Sequence, residues 1–286
     1  MAHRIMRMAT YFRERFEFTD EVGFVTFYGG PRAAPWLKAY RGLHNLARLR
    51  IQISEGDHSR RIIIRDVYAP KGIGMAVKDL WHYVNLCQVI RPPYDLAVFG
   101  YPGNAWLALL LKRSGRVKKL IYDDWDYHVG LEMNWLGRRC VDSRERLCAR
   151  DADAVITVSS LLADLRLKQR AKRVLVIPNG ADVALFSQAR RKVPHPPTLA
   201  YMGSLSPLWN VDLAIRALPE VARAVPRVRL LIAGYGPAED DLKALGSVLG
   251  VAKHIEFLGR VEQERLAAIL AESDVGIATS RNSAFR

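Results

Sequence analysis

From about residue 60 the chain alternates short β-branched runs with longer stretches of helical apolar spacing. The runs at 61–67, 96–99, 119–122, 154–158 and 174–177 end in turn residues and predict strands. The stretches 75–90, 105–112 and 139–150 lie between them and predict helices. Alternation of this kind places a parallel sheet between two layers of helix. A second series predicts strands at 199–202, 229–233, 254–257 and 275–278, separated by helices at 211–223, 239–249 and 262–270. Between the two series, 192–197 holds three prolines in six residues and predicts a linker. The expected architecture is therefore α/β, with two Rossmann-like parallel-sheet domains over 1–192 and 193–286. A doubly wound domain normally opens with a strand, yet this chain opens with a basic helical stretch at 5–16, and the second series stops at its fourth strand. The expectation is a chain clipped at both ends, its second domain incomplete.

Composition narrows this little. Half of the 286 residues are hydrophobic and a quarter are charged, which excludes disorder, collagen and coiled coil. No uncharged apolar stretch approaches the roughly 20 residues of a bilayer span, and the first residues lack a signal peptide's apolar core. Cys87, Cys140 and Cys148 show no C-x-x-C spacing, so neither a disulfide scaffold nor a zinc module is expected, and a cytoplasmic location is.

Charge changes the picture more. Residues 1–192 carry 33 basic and 19 acidic side chains, whereas 193–286 carry 10 of each. The excess of the first part favours an anionic partner. No nucleic-acid-binding module pattern appears, so nucleic acid is not expected. The stretch 35–50 sets Trp36, Leu37, Tyr40, Leu43 and Leu46 among Lys38, Arg41, Arg48 and Arg50. Two readings stand: a helix lying on an anionic membrane surface, and a helix whose apolar stripe covers the sheet.

Candidate chemistry gathers at predicted strand ends, where open α/β sheets bind ligands. In the second series Gly203 follows one strand, and Gly234 and Gly236 follow the next, where backbone N–H groups can approach phosphate. The G-x-G is equally a tight strand-to-helix turn. No third glycine completes a dinucleotide fingerprint, so NAD is not expected. In the first series "LIYDDWDYH" puts Asp123, Asp124, Asp126 and His128 just past a strand. One reading gives the string binding and chemistry, with Asp124 in binding and Asp126 or His128 at the reacting centre, which the resemblance described next makes acceptor positioning. Beside it stand a divalent metal on Asp124 and Asp126, and a helix cap followed by solvated acids. The reading adopted carries no metal.

Several segments resemble the GT-B glycosyltransferases of family 4, also called group 1. They are "AVITVSSLLADLR" with "RVLVIPNGADVALF", then "LAYMGSLSPLWNVDLAIRAL", then "RLLIAGYGPAEDDLKAL", "HIEFLGRV" and "LAESDVGIATS", in the family's order over about 120–280. The resemblance implies a sugar moved from a nucleoside-diphosphate donor to a glycan or lipid-linked acceptor, for a bacterial surface polysaccharide or glycolipid, without a cofactor. It implies a cleft between the halves, with Asn179, Gly180, Gly203, Ser204, Gly234, Gly236 and Val261 on the substrates. The family usually has Arg and Lys where this chain has Ser204 and Trp209, and a glutamate near Ser283. Two rival readings remain, a nucleotide-sugar 2-epimerase and a degenerate paralogue that only binds a membrane or partner.

Overall fold

A computed structural model of the chain describes residues 2–25, 51–56, 59–65, 73–131, 135–188 and 195–279. The helix expected at 35–50, the first half of the expected linker and Ser283 lie outside these residues. The chain packs as two compact units that divide at Asn179 and Gly180.

The first unit opens with α1 (Ala2–Arg15), β1 (Thr19–Val25), β2 (Ile51–Glu55) and β3 (Ser59–Arg65). The strands form a sheet of order β1–β3–β2, with β1 parallel and β2 antiparallel to β3. Sequence pattern missed both β1 and β2; in β1 charges interrupt the apolar alternation, whereas β2 is only five residues, with Ile51 and Ile53 its apolar positions. Those charges are matched across the sheet: Asp20 and Glu21 stand in register with Arg60 and Arg61. Arg60 donates to both oxygens of Asp20 at 2.7 and 2.9 Å, and Arg61 Nη2 lies 3.1 Å from Glu21. Opposite charges on neighbouring strands stabilise the pairing. Ile62 and Ile64 of β3 face inward onto Leu86 and Leu107.

The unit continues with α2 (Ile73–Val89), β4 (Tyr94–Phe99), α3 (Ala105–Arg113), β5 (Val117–Asp124), α4 (Trp135–Asp151), β6 (Ala154–Thr157), α5 (Ser160–Lys168) and β7 (Val174–Val176). Strands β4 to β7 lie side by side in chain order, all parallel. Parallel strands end at one edge, so the loops after β4, β5, β6 and β7 share it. The Ser159 hydroxyl caps α5 by accepting the Leu162 N–H at 3.3 Å.

The second unit holds α6 (Val183–Gln188), β8 (Thr198–Met202), α7 (Asp212–Ala224), β9 (Arg229–Ala233), α8 (Glu239–Val248), β10 (Ile255–Gly259), α9 (Gln263–Ala271) and β11 (Val275–Ile277). Its sheet is parallel, of order β10–β9–β8–β11. The chain steps outward from β8 to β10, then returns to the other side of β8. That reversal makes the carboxyl ends of β8 and β11 a topological switch point. On one face Ile215 and Leu218 of α7 pack with Leu230, Ile232 and Leu205, and on the other Ile269 packs with Ala200, Leu231 and Ala233.

Candidate active site

In the first unit the carboxyl edge of β5 carries the acidic string. Tyr122 and Asp124, two residues apart, face the same way, and the Tyr122 hydroxyl donates to Asp124 Oδ1 at 3.0 Å. Asp124 is fully buried. Arg166 of α5 donates to its Oδ2 at 2.7 Å and its Oδ1 at 3.2 Å. Burial raises the Asp124 pKa against the opposing pull of Arg166. The same guanidinium reaches Glu145 Oε2 at 2.9 Å and Gln169 Oε1 at 2.8 Å. Burial works against the Arg166 charge, but Asp124 and Glu145 outweigh it and the pKa rises.

His128 sits over this network. Its main-chain N–H donates to Glu145 Oε1 at 3.1 Å, and its Nδ1 lies 3.4 Å from the same oxygen. The rings of Tyr101 and Trp125 meet the imidazole edge-on at 5.7 and 5.9 Å. Trp125 in turn lies on Gly100, where a Cβ would come within 1.4 Å of the indole. Asp126 is half-buried, and its Oδ1 accepts the Tyr127 N–H at 2.8 Å. Its pKa is raised, chiefly by burial, with the neighbouring His128 and that N–H pulling the other way.

A second buried arginine supports the neighbouring loop. Arg144 Nη1 donates to Asp79 Oδ2 and to the Gly103 carbonyl, both at 2.7 Å. Arg144 and Glu145 thus fix the loops that follow β4 and β5. Sequence reasoning did not single out Arg144, Glu145, Arg166, Asp79, Trp125 or Gly100. The signal was present: Val141, Arg144, Glu145 and Cys148 share the buried stripe of α4, and Arg166 follows Leu162 and Ala163 on that of α5. A charge on such a stripe marks a buried ion pair.

One group of three potential metal-ligating side chains stands among the described residues: Asp124, His128 and Glu145, whose ligand atoms lie within 4.8 Å. The Arg166 guanidinium already supplies the cation between the two carboxylates. Asp126, the partner of Asp124 in the expected D-x-D, is not of this group.

In the second unit the ends of β8, β9 and β10 at the carboxyl edge are joined backbone to backbone. Gly203 N–H donates to Ala233 O at 3.0 Å, Leu205 N–H to Tyr235 O at 3.0 Å, Ala238 N–H to Leu205 O at 2.9 Å and Gly234 N–H to Gly259 O at 2.8 Å. A Cβ on Gly234 would lie 1.8 Å from Gly203 O, and one on Gly236 2.3 Å from Leu205 O. These two positions require glycine for approach of main chain to main chain. The Gly203 N–H is therefore committed to the sheet. Ser204 is exposed beside it, and its carbonyl accepts the Tyr201 hydroxyl at 3.1 Å. Trp209 is half-buried against the core of Tyr201, Leu205 and Ile215. Its carbonyl accepts the Thr279 hydroxyl at 2.6 Å, which ties the β8 loop to the end of β11. Val261 packs on Ala200, Leu231 and Ile269. Asn179 and Gly180 are exposed at the junction of the units, where Asp182 caps α6 by accepting the Leu185 N–H at 3.2 Å.

Comparison with known proteins places this geometry in context. Residues 7–180 match the family model described as "Glycosyl transferase 4-like domain", and residues 183–285 match "Glycosyl transferases group 1". The first match carries the resemblance well ahead of residue 120, where the sequence motifs begin. The GDP-mannose-dependent alpha-(1-6)-phosphatidylinositol monomannoside mannosyltransferase of Mycolicibacterium smegmatis is 29% identical over 195 residues, covering 64% of this chain and 50% of that protein. The chain thus matches about half the length of that relative. Among solved structures, the OtsA apo structure superposes with a TM-score of 0.63 at 10% identity, over 93% of this chain and 78% of that one. Anabaena Alr3699/HepE in complex with UDP and glucose gives 0.59 at 17% identity, over 91% and 74%. These likenesses show the fold, the parallel-sheet α/β architecture expected from the sequence.

Proposed function

The chain belongs to the group 1 glycosyl transferases with a 4-like first domain, and from that membership we propose that it takes part in moving a sugar from a nucleoside-diphosphate donor to a glycan or lipid-linked acceptor. The observation that carries the proposal is the pair of edges: a carboxylate and an imidazole over a buried ion network on one, and loops joined through glycines on the other. The acceptor hydroxyl lies against His128 and Asp126. The donor diphosphate lies at the switch point beside Ser204 and Gly236, near the amino terminus of α7, whose dipole favours anionic charge. Charge that develops on the leaving diphosphate is met there by main-chain N–H groups. No cofactor enters this reading.

The M. smegmatis relative is named for a phosphatidylinositol-based acceptor, which favours a lipid-linked acceptor over a free glycan. Among the described residues no helix is long and apolar enough to cross a membrane. With a basic first part, the reading places the protein at the cytoplasmic face of an anionic membrane, held peripherally.

The test is transfer. Purified protein is incubated with GDP- and UDP-hexoses, with and without a lipid extract, and the released nucleoside diphosphate and lipid-phase sugar are measured. Sugar that enters the lipid phase with matching nucleotide release supports the reading. Formation of a 2-epimer with donor alone, or nucleotide release that no acceptor stimulates, overturns it.

A further inference from the structure

We propose that Glu145 is a positioning residue that fixes the tautomer of His128, so that Nδ1 carries the proton and Nε2 faces the acceptor as a hydrogen-bond acceptor. The inference rests on the reading that places the acceptor hydroxyl against His128.

Charge in the pocket carries the argument. Asp124, Glu145 and Arg166 are all fully buried, and the one guanidinium serves both carboxylates at 2.7 and 2.9 Å. Two negative charges therefore share one positive charge in a dry site, where a partly compensated carboxylate demands another donor. Tyr122 meets Asp124, and Gln169 meets only the guanidinium. For Glu145 Oε1 the neighbouring groups are the main-chain N–H and the Nδ1 of His128, at 3.1 and 3.4 Å. A bare Nδ1 lone pair would face a carboxylate oxygen and be repelled, whereas an Nδ1–H is attracted. The tautomer of a histidine follows what faces its other nitrogen. The edge-on rings of Tyr101 and Trp125 restrict rotation of the imidazole away from this arrangement.

The experiment is long-range 1H–15N correlation on the whole chain labelled at histidine, with the His128 signals assigned by their loss in His128→Gln. The expected result is a protonated Nδ1 and an unprotonated Nε2 in the neutral ring, shifting towards the opposite tautomer in Glu145→Gln. A wild-type ring already protonated at Nε2 overturns the proposal without any variant, as does a Glu145→Gln variant, folded by its amide spectrum, whose tautomer ratio is unchanged. This readout needs no sugar transfer, so it fails separately from the functional reading. Where transfer is measured, Glu145→Gln lowers kcat about tenfold or more and leaves the donor KM unchanged. A change confined to the donor KM counts against a role through His128.

Discussion

Arg144 and Glu145 are consecutive residues of one helix, and each holds a different loop of the same sheet edge. Arg144 grips the Gly103 carbonyl after β4, and Glu145 grips the His128 N–H after β5. Two adjacent charges of opposite sign, both buried, set the spacing between the Tyr101 loop and the His128 loop. The candidate acceptor edge is thus built from the helix beneath it.

Loss of Arg166 is expected to destabilise the first unit strongly. Arg166→Met keeps most of the volume but leaves Asp124 and Glu145 buried without their cation, which costs about 3–5 kcal/mol. Denaturant unfolding should show this as a lower midpoint. A midpoint that does not move would mean the network is solvated rather than dry.

Asp126 gives a prediction in pH. Its folded pKa is raised from 3.8, chiefly by burial. Below the ordinary value the carboxyl is protonated in both states, and its contribution to stability is fully present. As pH rises the unfolded chain ionises first, and that contribution is lost through the raised folded value. Asp126→Asn should therefore stabilise the protein at neutral pH, with the gain vanishing as pH falls below about 3.8. Thermal melts across pH 3 to 7.5 on both proteins check it, since an equal difference at every pH would assign the effect to packing. A carboxylate kept at a loss of stability fits a residue retained for chemistry.

Much of the fold was legible because apolar periodicity and strand-ending turns agree. The parallel strands β4 to β6 and β8 to β10 needed nothing else. Strand β1 was not, since Asp20 and Glu21 break the pattern until Arg60 and Arg61 lie opposite them, 40 residues on in sequence. The site was half legible. A string of acids past a strand end is visible, but which acid faces outward is not. Asp124 and Asp126 look equivalent in sequence, yet Arg166, from another helix, buries one and leaves the other half-exposed.

Gly234→Ala and Gly180→Ala should separate a required glycine from a tolerated one. The first brings a methyl group to 1.8 Å from Gly203 O, whereas nothing lies within 4 Å of a Cβ on Gly180. Overpacking of this kind costs about 1–3 kcal/mol, and because the clash is with backbone it also moves the Gly203–Ser204 loop. Gly234→Ala is therefore expected to lose both midpoint and nucleotide binding, and Gly180→Ala to keep its midpoint. If Gly234→Ala binds nucleotide as wild type does, the β9 loop is not part of the donor site.

The proposed donor site is testable by adding charge. Ser204 and Trp209 occupy the two places where the family usually offers cations, and they differ in what a substitution meets. Ser204 is exposed, so an arginine there can reach a bound diphosphate without disturbing the core. Trp209 packs on Tyr201, Leu205 and Ile215, so Trp209→Lys should lose roughly 2 kcal/mol of stability before any binding is gained. With main-chain N–H groups and the end of α7 alone, wild-type affinity for a nucleoside diphosphate is expected in the high-micromolar range or weaker, roughly −4 to −5.5 kcal/mol. One charge-assisted hydrogen bond from Ser204→Arg adds about 1.5 kcal/mol, close to a tenfold tightening. Calorimetry with GDP and UDP on both proteins gives the answer. Submicromolar binding by wild type, or no gain in Ser204→Arg, would place the diphosphate away from the β8 loop.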